Sequence, residues 1–240
     1  MELDSWLNLL DGFDEISGQN EFEPHHREIA HAALDDYDYD LSDFSIIETF
    51  ARYTPSFSTE DNIAGDPEAD GYWWNYQGAE NSCAVVAQQG VLESILQRDL
   101  SRDELIELAE AKGWYDPEGG TMLNDVGNIL EEFDIPVERG DGYEFSDLYR
   151  ALTNGEKVIV GVNANELRSP TENPDGTTIQ QDPAGHAVWV TGLVARDGDV
   201  YVVMNDSAPM SGSHQEIELK DFLNAWEDYG NFAVMTKING

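Results

Sequence analysis

The order of hydrophobic patterns along the 240 residues predicts an α+β fold, with N-terminal helices packed on a C-terminal antiparallel β-sheet. From Cys83 to Gly155 the apolar residues recur at helical spacing in four stretches. From Lys157 onward the pattern changes to short apolar runs and alternation, the signal of strands. Between two of these runs stands Arg196-Asp197-Gly198-Asp199, a hairpin turn signal.

The first helix is expected from about Cys83 to Gln97. Asn81 and Ser82 are available as caps, and Val85, Val86, Gln89, Leu92, Ile95 and Leu96 turn inward. Ser101 and Glu104 form a capping box that opens the second helix. Its stripe is Leu105, Leu108 and Ala109, and Gly113 ends it. Gly119-Gly120-Thr121 reads as a turn into a third helix carrying Leu123, Val126, Ile129, Leu130 and Phe133, stopped before Pro136. Ser146 opens the fourth, with Leu148, Tyr149 and Leu152, and Gly155 closes it. Lys157 to Val162 reads as a buried strand, and His186–Val194 with Val200–Met204 as the hairpin. Ile217 and Leu219 suggest another strand, Lys220 to Glu227 a short helix, and Phe232 to Thr236 a last strand.

Residues 1–70 differ from the main domain over 71–240. Leu3, Trp6, Leu7, Leu10 and Phe13 make an acidic amphipathic helix, and Pro24 to His31 a second short one. Asp35 to Asp40 is an acidic, aromatic connector, and Ser58 to Gly71 reads as a loop. The segment is an acidic N-terminal extension of short helices and linker.

Lys plus Arg number 12 against 49 Asp plus Glu, a formal charge of −37. Such a field repels nucleic acid and anionic membranes. It suits either a saline habitat, where salt shortens screening, or an ordinary acidic bacterial protein. A basic partner also fits. No stretch reaches the roughly 18 apolar residues of a membrane span, and Met1-Glu2-Leu3-Asp4 lacks the basic start of a secretory signal. A cytoplasmic location is expected, with unconventional secretion open. One cysteine excludes an internal disulfide framework and a cysteine-rich zinc site. His25, His26 and His31 do not match a metal-ligand spacing, so no metal or cofactor is expected.

Cys83 sits where a helix should begin. The positive end of a helix favours a thiolate, the useful nucleophile. Gln77 precedes it by six positions, and a glutamine amide there can donate to an oxyanion beside the Cys83 N–H. His186 starts a strand after Gly185, which leaves access to the imidazole. Asn205 and Asp206 end the returning strand of the same hairpin, and either can orient the ring. With the turn between Asp197 and Gly198, Asp206 faces Trp189, about three residues or roughly 10 Å from the position facing His186. A bulge or bend near Asn205-Asp206 would close that gap. Trp73 and Trp74 either wall a groove or pack the core.

The order Gln, Cys, His, Asp/Asn resembles papain-like cysteine peptidases. It is most similar to the C39-like branch, bacterial relatives of bacteriocin-processing peptidases. Four stretches carry the likeness: Tyr76-Gln77-Gly78-Ala79-Glu80-Asn81-Ser82-Cys83-Ala84, Glu118-Gly119-Gly120-Thr121, Gly185-His186-Ala187-Val188-Trp189-Val190-Thr191-Gly192 and Val203-Met204-Asn205-Asp206-Ser207. The tail from Ile217 to Val234 adds to it, and the likeness spans about residues 72–237. It implies Cys83 as nucleophile, His186 as general base and acid, Asp206 (or Asn205) as orienting residue and Gln77 as oxyanion donor. The implied activity is hydrolysis of an amide in a peptide or protein substrate. Ala84 stands where many relatives carry Gly, and Ser207 where Pro is common. A second reading stays open: a catalytically inactive papain-like module that binds a protein. Residues 1–70 would then be a docking or inhibitory segment, with a partner docking on 1–16.

Overall fold

The computed structural model describes residues 63–78, 81–173, 179–196 and 199–237. The helices and connector expected before residue 63 lie outside the described residues. Within 63–71, expected as loop, the chain forms strand β1 (Ile63–Gly65) and helix α1 (Pro67–Gly71). Asp66 caps α1 by accepting the Ala69 N–H at 3.1 Å, and Pro67 supplies a preset helical φ at the first position.

Helix α2 (Cys83–Leu96) and helix α3 (Arg102–Lys112) follow the expected stripes. Ser101 caps α3 through the Glu104 N–H, and Gly113 closes it in the left-handed conformation. The third expected helix is broken in two. A 3₁₀ turn (Leu123–Asp125) and helix α4 (Asn128–Glu132) flank Gly127, whose φ of +99° no helix interior allows. Gln88 repairs the break. Its buried Oε1 accepts the N–H groups of Gly127 and Ile129 at 2.8 and 3.1 Å.

Strand β2 (Val137–Gly140) was not anticipated. Helix α5 (Phe145–Thr153) opens on a capping box between Glu144 and Asp147 rather than on Ser146. Strand β3 (Val158–Asn163), helix α6 (Ala164–Arg168), the long strand β4 (Gly185–Arg196) and strand β5 (Asp199–Asn205) follow. Strand β6 (Gln215–Glu218), helix α7 (Leu219–Glu227) and strand β7 (Ala233–Thr236) complete the described chain.

The strands form one antiparallel sheet in the order β2-β7-β3-β4-β5-β6, and β1 pairs with the far half of β4. Side chains alternate across a sheet, so it has two apolar faces. One face carries Val158, Val160, Val162, Val188, Val190, Val202 and Met204, under α5 and α7. The other carries Ile159, Ala187, Trp189 and Val234, under α2, α3 and α4. Helices thus cover both faces, and the expected α+β architecture is the one found.

Strand β4 holds one irregularity. Trp189 pairs with Asn205 and Val190 with Met204, yet Gly192 pairs with Val203, leaving Thr191 as an extra residue. This is a β-bulge. It explains why the face of Val188 and Val190 continues with Leu193 rather than an even-numbered residue. The Thr191 hydroxyl donates to the Val203 carbonyl at 3.2 Å, and its own carbonyl accepts the Asp66 N–H at 3.2 Å. Gly192 is required because a Cβ there would lie 2.8 Å from the Ala64 carbonyl oxygen.

Replacing Gln88 by Leu leaves two buried N–H groups without an acceptor. A loss of about 2–4 kcal/mol is expected, read as a lower urea midpoint.

Candidate active site

Helix α2 begins at Cys83 without a side-chain cap. Ser82 stands at the expected N-cap position, but neither its side chain nor that of Asn81 makes a cap bond. The Asn81 amide donates to the Pro117 and Glu118 carbonyls, and the Ser82 hydroxyl makes no cap bond. No acidic residue stands in the first turn. The positive end of the helix is therefore not neutralised by a cap and acts on the half-buried Cys83 thiol.

The Cys83 thiol interacts with the His186 imidazole, and that interaction favours the ionised thiol. The ring's Nε2 meets Asp206 Oδ1 at 2.6 Å, so Nδ1 is the nitrogen left for the sulfur. The bulge at Thr191 makes this possible. Continuing the bulged register by one residue sets Asp206 across from Val188, on the face of His186. An unbulged ladder would set it across from Trp189, on the opposite face. The bulge was expected near Asn205-Asp206; it sits instead on the partner strand.

The same register places Asn205, the alternative orienting residue, away from the His186 ring. Paired with Trp189, it turns to the other face, where its amide donates to the Asp70 carbonyl at 2.9 Å. Asp70 is itself held by Lys157 at 2.6 Å. Asn205 thus anchors α1 to the sheet.

Asp206 is wholly buried and fixed on every side. Its N–H donates to the Gly212 carbonyl at 2.8 Å, and its carbonyl accepts the Trp74 indole N–H at 2.6 Å. Its Oδ1 also accepts the Ala208 N–H at 2.9 Å. Its Oδ2 faces the Arg168 guanidinium at 3.4 Å. Trp74 therefore braces the loop after β5, and Trp73 packs against the core under α2.

Gln77 lies beside this loop. Its N–H donates to the Ser207 carbonyl at 2.9 Å, and the Ser207 hydroxyl donates to its Oε1 at 2.8 Å. Arg102 donates to the Tyr76 and Gln77 carbonyls at 3.1 and 3.2 Å. Upstream, Asn75 donates to the buried Glu93 carboxylate at 2.6 Å. The strand-like approach to Gln77 is thereby tied to α2 and α3.

Burial opposes charge on all three clustered groups, and hydrogen bonding outweighs it. Burial alone raises the Cys83 thiol, but His186 and the N–H groups of Ala187 and Ala84 hold it below its ordinary value. Burial lowers the His186 imidazole, but the bonds to Asp206 and Cys83 push it up to about 9. Burial raises the Asp206 carboxyl, but His186, the Ala208 N–H and Arg168 bring it below its ordinary value. The arrangement favours a thiolate beside an imidazolium.

Three neighbours of this cluster were not foreseen as parts of it. Arg168 lies on a helix too short to show a period, and Ser207 had stood out only as a departure from the usual Pro. Tyr229 follows α7, and its hydroxyl would lie 2.8 Å from a Cβ on residue 185. Gly185 is thus the residue that admits Tyr229 beside His186.

A cysteine at a helix N-terminus, set against a histidine at the start of a sheet strand, places the chain in the papain-like class. The family described as Peptidase_C39 like family matches residues 69–234, and the chain belongs to that family. Uncharacterized proteins of Mycobacterium tuberculosis and Mycobacterium bovis are 24% identical to it over 209 aligned residues. These alignments cover 76% of this chain and 88% of the relatives. Among solved structures, a Bacillus anthracis protein assigned to the C39-like peptidases superposes with a TM-score of 0.54 at 15% identity, over 75% of this chain and 100% of its own. Procathepsin L 3 from the larval midgut of Tenebrio molitor gives a TM-score of 0.50 at 18% identity, over 68% of this chain and 66% of its own. No helix among the described residues is long and apolar enough to cross a membrane.

The pH dependence of Cys83 alkylation follows from these shifts. The thiol ionises below its ordinary range and the imidazole keeps its proton to about 9. Iodoacetamide should therefore react at a plateau rate between those limits, falling below the first and changing again through the second. In His186→Ala the plateau is lost and alkylation needs higher pH, because burial then raises the thiol with no ring to oppose it.

Proposed function

We propose that the chain hydrolyses amide bonds of peptides or proteins as a cysteine peptidase, with Cys83, His186 and Asp206 as its triad. The observation that carries this reading is the buried His186–Asp206 bond at 2.6 Å, with the Cys83 thiol at the start of α2 interacting with the same imidazole. The Cys83 thiolate attacks the substrate carbonyl carbon. The oxyanion that forms accepts hydrogen bonds from the Cys83 N–H and the Gln77 side-chain amide, whose Oε1 is held by Ser207 while Arg102 holds the Gln77 backbone carbonyl.

The His186 imidazolium, through Nδ1, protonates the leaving amine as the C–N bond breaks. A thioester remains on Cys83. Neutral His186 then takes a proton from water, which attacks the thioester and releases the acid and the thiolate. Asp206 keeps the ring in the orientation that serves both steps. Family membership and the two papain-like neighbours support the fold on which this chemistry rests.

Incubating the full chain with a mixture of synthetic peptides, followed by mass spectrometry, tests the proposal. Cleavage is expected with the native chain and none with Cys83→Ala. Gln77→Ala should lose about 10²–10³ in rate. A peptide mixture left intact by a native chain whose Cys83 fails to alkylate at any pH contradicts the reading.

A further inference from the structure

We propose that Arg168 is a positioning residue of this site: its guanidinium holds Asp206 ionised and aimed at His186, and completes a charge-neutral set of four groups. The inference rests on the triad reading above. In the reactive form Cys83 and Asp206 are negative and His186 is positive, so the three leave one negative charge. The Asp206 side chain is 0% exposed and that of His186 4%. An unbalanced charge in such a place is costly. The chain as a whole carries −37, which makes it costlier.

Arg168 supplies the missing positive charge. Its Nη2 lies 3.4 Å from Asp206 Oδ2, while Oδ1 takes His186 and the Ala208 N–H. The two carboxylate oxygens thus have separate tasks, one toward the ring and one toward the guanidinium. Arg168 is one of only 12 basic residues against 49 acidic ones.

Its placement is built in. Arg168 ends α6, and α6 is fixed by the buried Glu166, which accepts the Gln181 N–H at 2.8 Å and also binds Asn224. Asn163 accepts the Asn165 and Ala184 N–H groups, both at 3.1 Å, at the two ends of the same connection. One network therefore sets both Arg168 and the approach to Gly185-His186. Among the described residues, Cys83 from α2 interacts with His186, and Tyr229 beyond α7 with Cys83. Next to Tyr229, Asp228 is held by Asn163 at 2.6 Å.

Removing the cation leaves the extra negative charge unbalanced. Thiolate formation then moves to higher pH, and the imidazolium keeps its proton to higher pH as well. Both limbs of the alkylation profile therefore shift upward. The alkaline limb, nearer the guanidinium, moves by about one pH unit, allowing for solvent screening of a half-exposed arginine.

The test is the pH profile of iodoacetamide alkylation of the full chain, for wild type, Arg168→Met and Arg168→Lys. Met keeps the apolar stem and loses the charge; Lys keeps the charge and should restore the wild-type limbs. Arg168→Gln provides a second neutral side chain if the Met variant does not fold. Limbs that stay in place in the neutral variants, whatever their rates, overturn the role of Arg168 and leave the triad intact. A wild-type profile without a low-pH plateau instead overturns the triad reading, and this inference with it.

Discussion

The bond between His186 and Asp206 requires the residue just beyond β5 to lie on the face of His186, and the register of a ladder without the bulge would turn it to the other face. Side chains alternate along a strand, so a shift of one residue moves a side chain to the other face. Thr191 provides that shift. As the extra residue of the bulge, it brings Asp206 to the face of His186 and sends Asn205 to the face of Trp189. The bulge is held from two directions, by the Thr191 hydroxyl on Val203 and by its carbonyl on Asp66. The short β1–α1 segment is thus part of what aims the carboxylate, although it lies far from Asp206 in sequence.

A second constraint is electrostatic. Burial raises the cost of every charge at this site, and the structure offsets it locally. The uncapped start of α2 and two backbone N–H groups favour the thiolate. Asp206 and Cys83 favour the imidazolium from either side. Asp206 in turn draws on Ala208, His186 and Arg168. Each group makes its neighbour's charge affordable, so the loss of one alters the others.

Much of the architecture was legible because long elements carry a period. Helix α2 announced itself through Val85, Val86, Gln89 and Leu92, and strand β3 through an unbroken apolar run. The hairpin that carries His186 was readable from its turn. The bulge within it was not placed, though Gly192 inside an otherwise apolar strand was a signal for it. Missing it left Asn205 open as an alternative to Asp206. Elements of three to five residues, such as β1, α1, β2 and α6, show too little pattern to stand out. Gly127 looked like an ordinary helical position, since its positive φ depends on Gln88, 39 residues away, to satisfy its N–H. Arg168 was invisible for the same reason: its meaning comes from a carboxylate brought to it by the fold.

The most direct test of the account is an NMR titration of the His186 ring nitrogens in the full chain, with Cys83→Ala alongside. The account predicts an imidazolium that persists to about pH 9 in the native chain and loses its proton at lower pH once the sulfur is removed. A His186 ring that titrates near 6.5 in both proteins would contradict it.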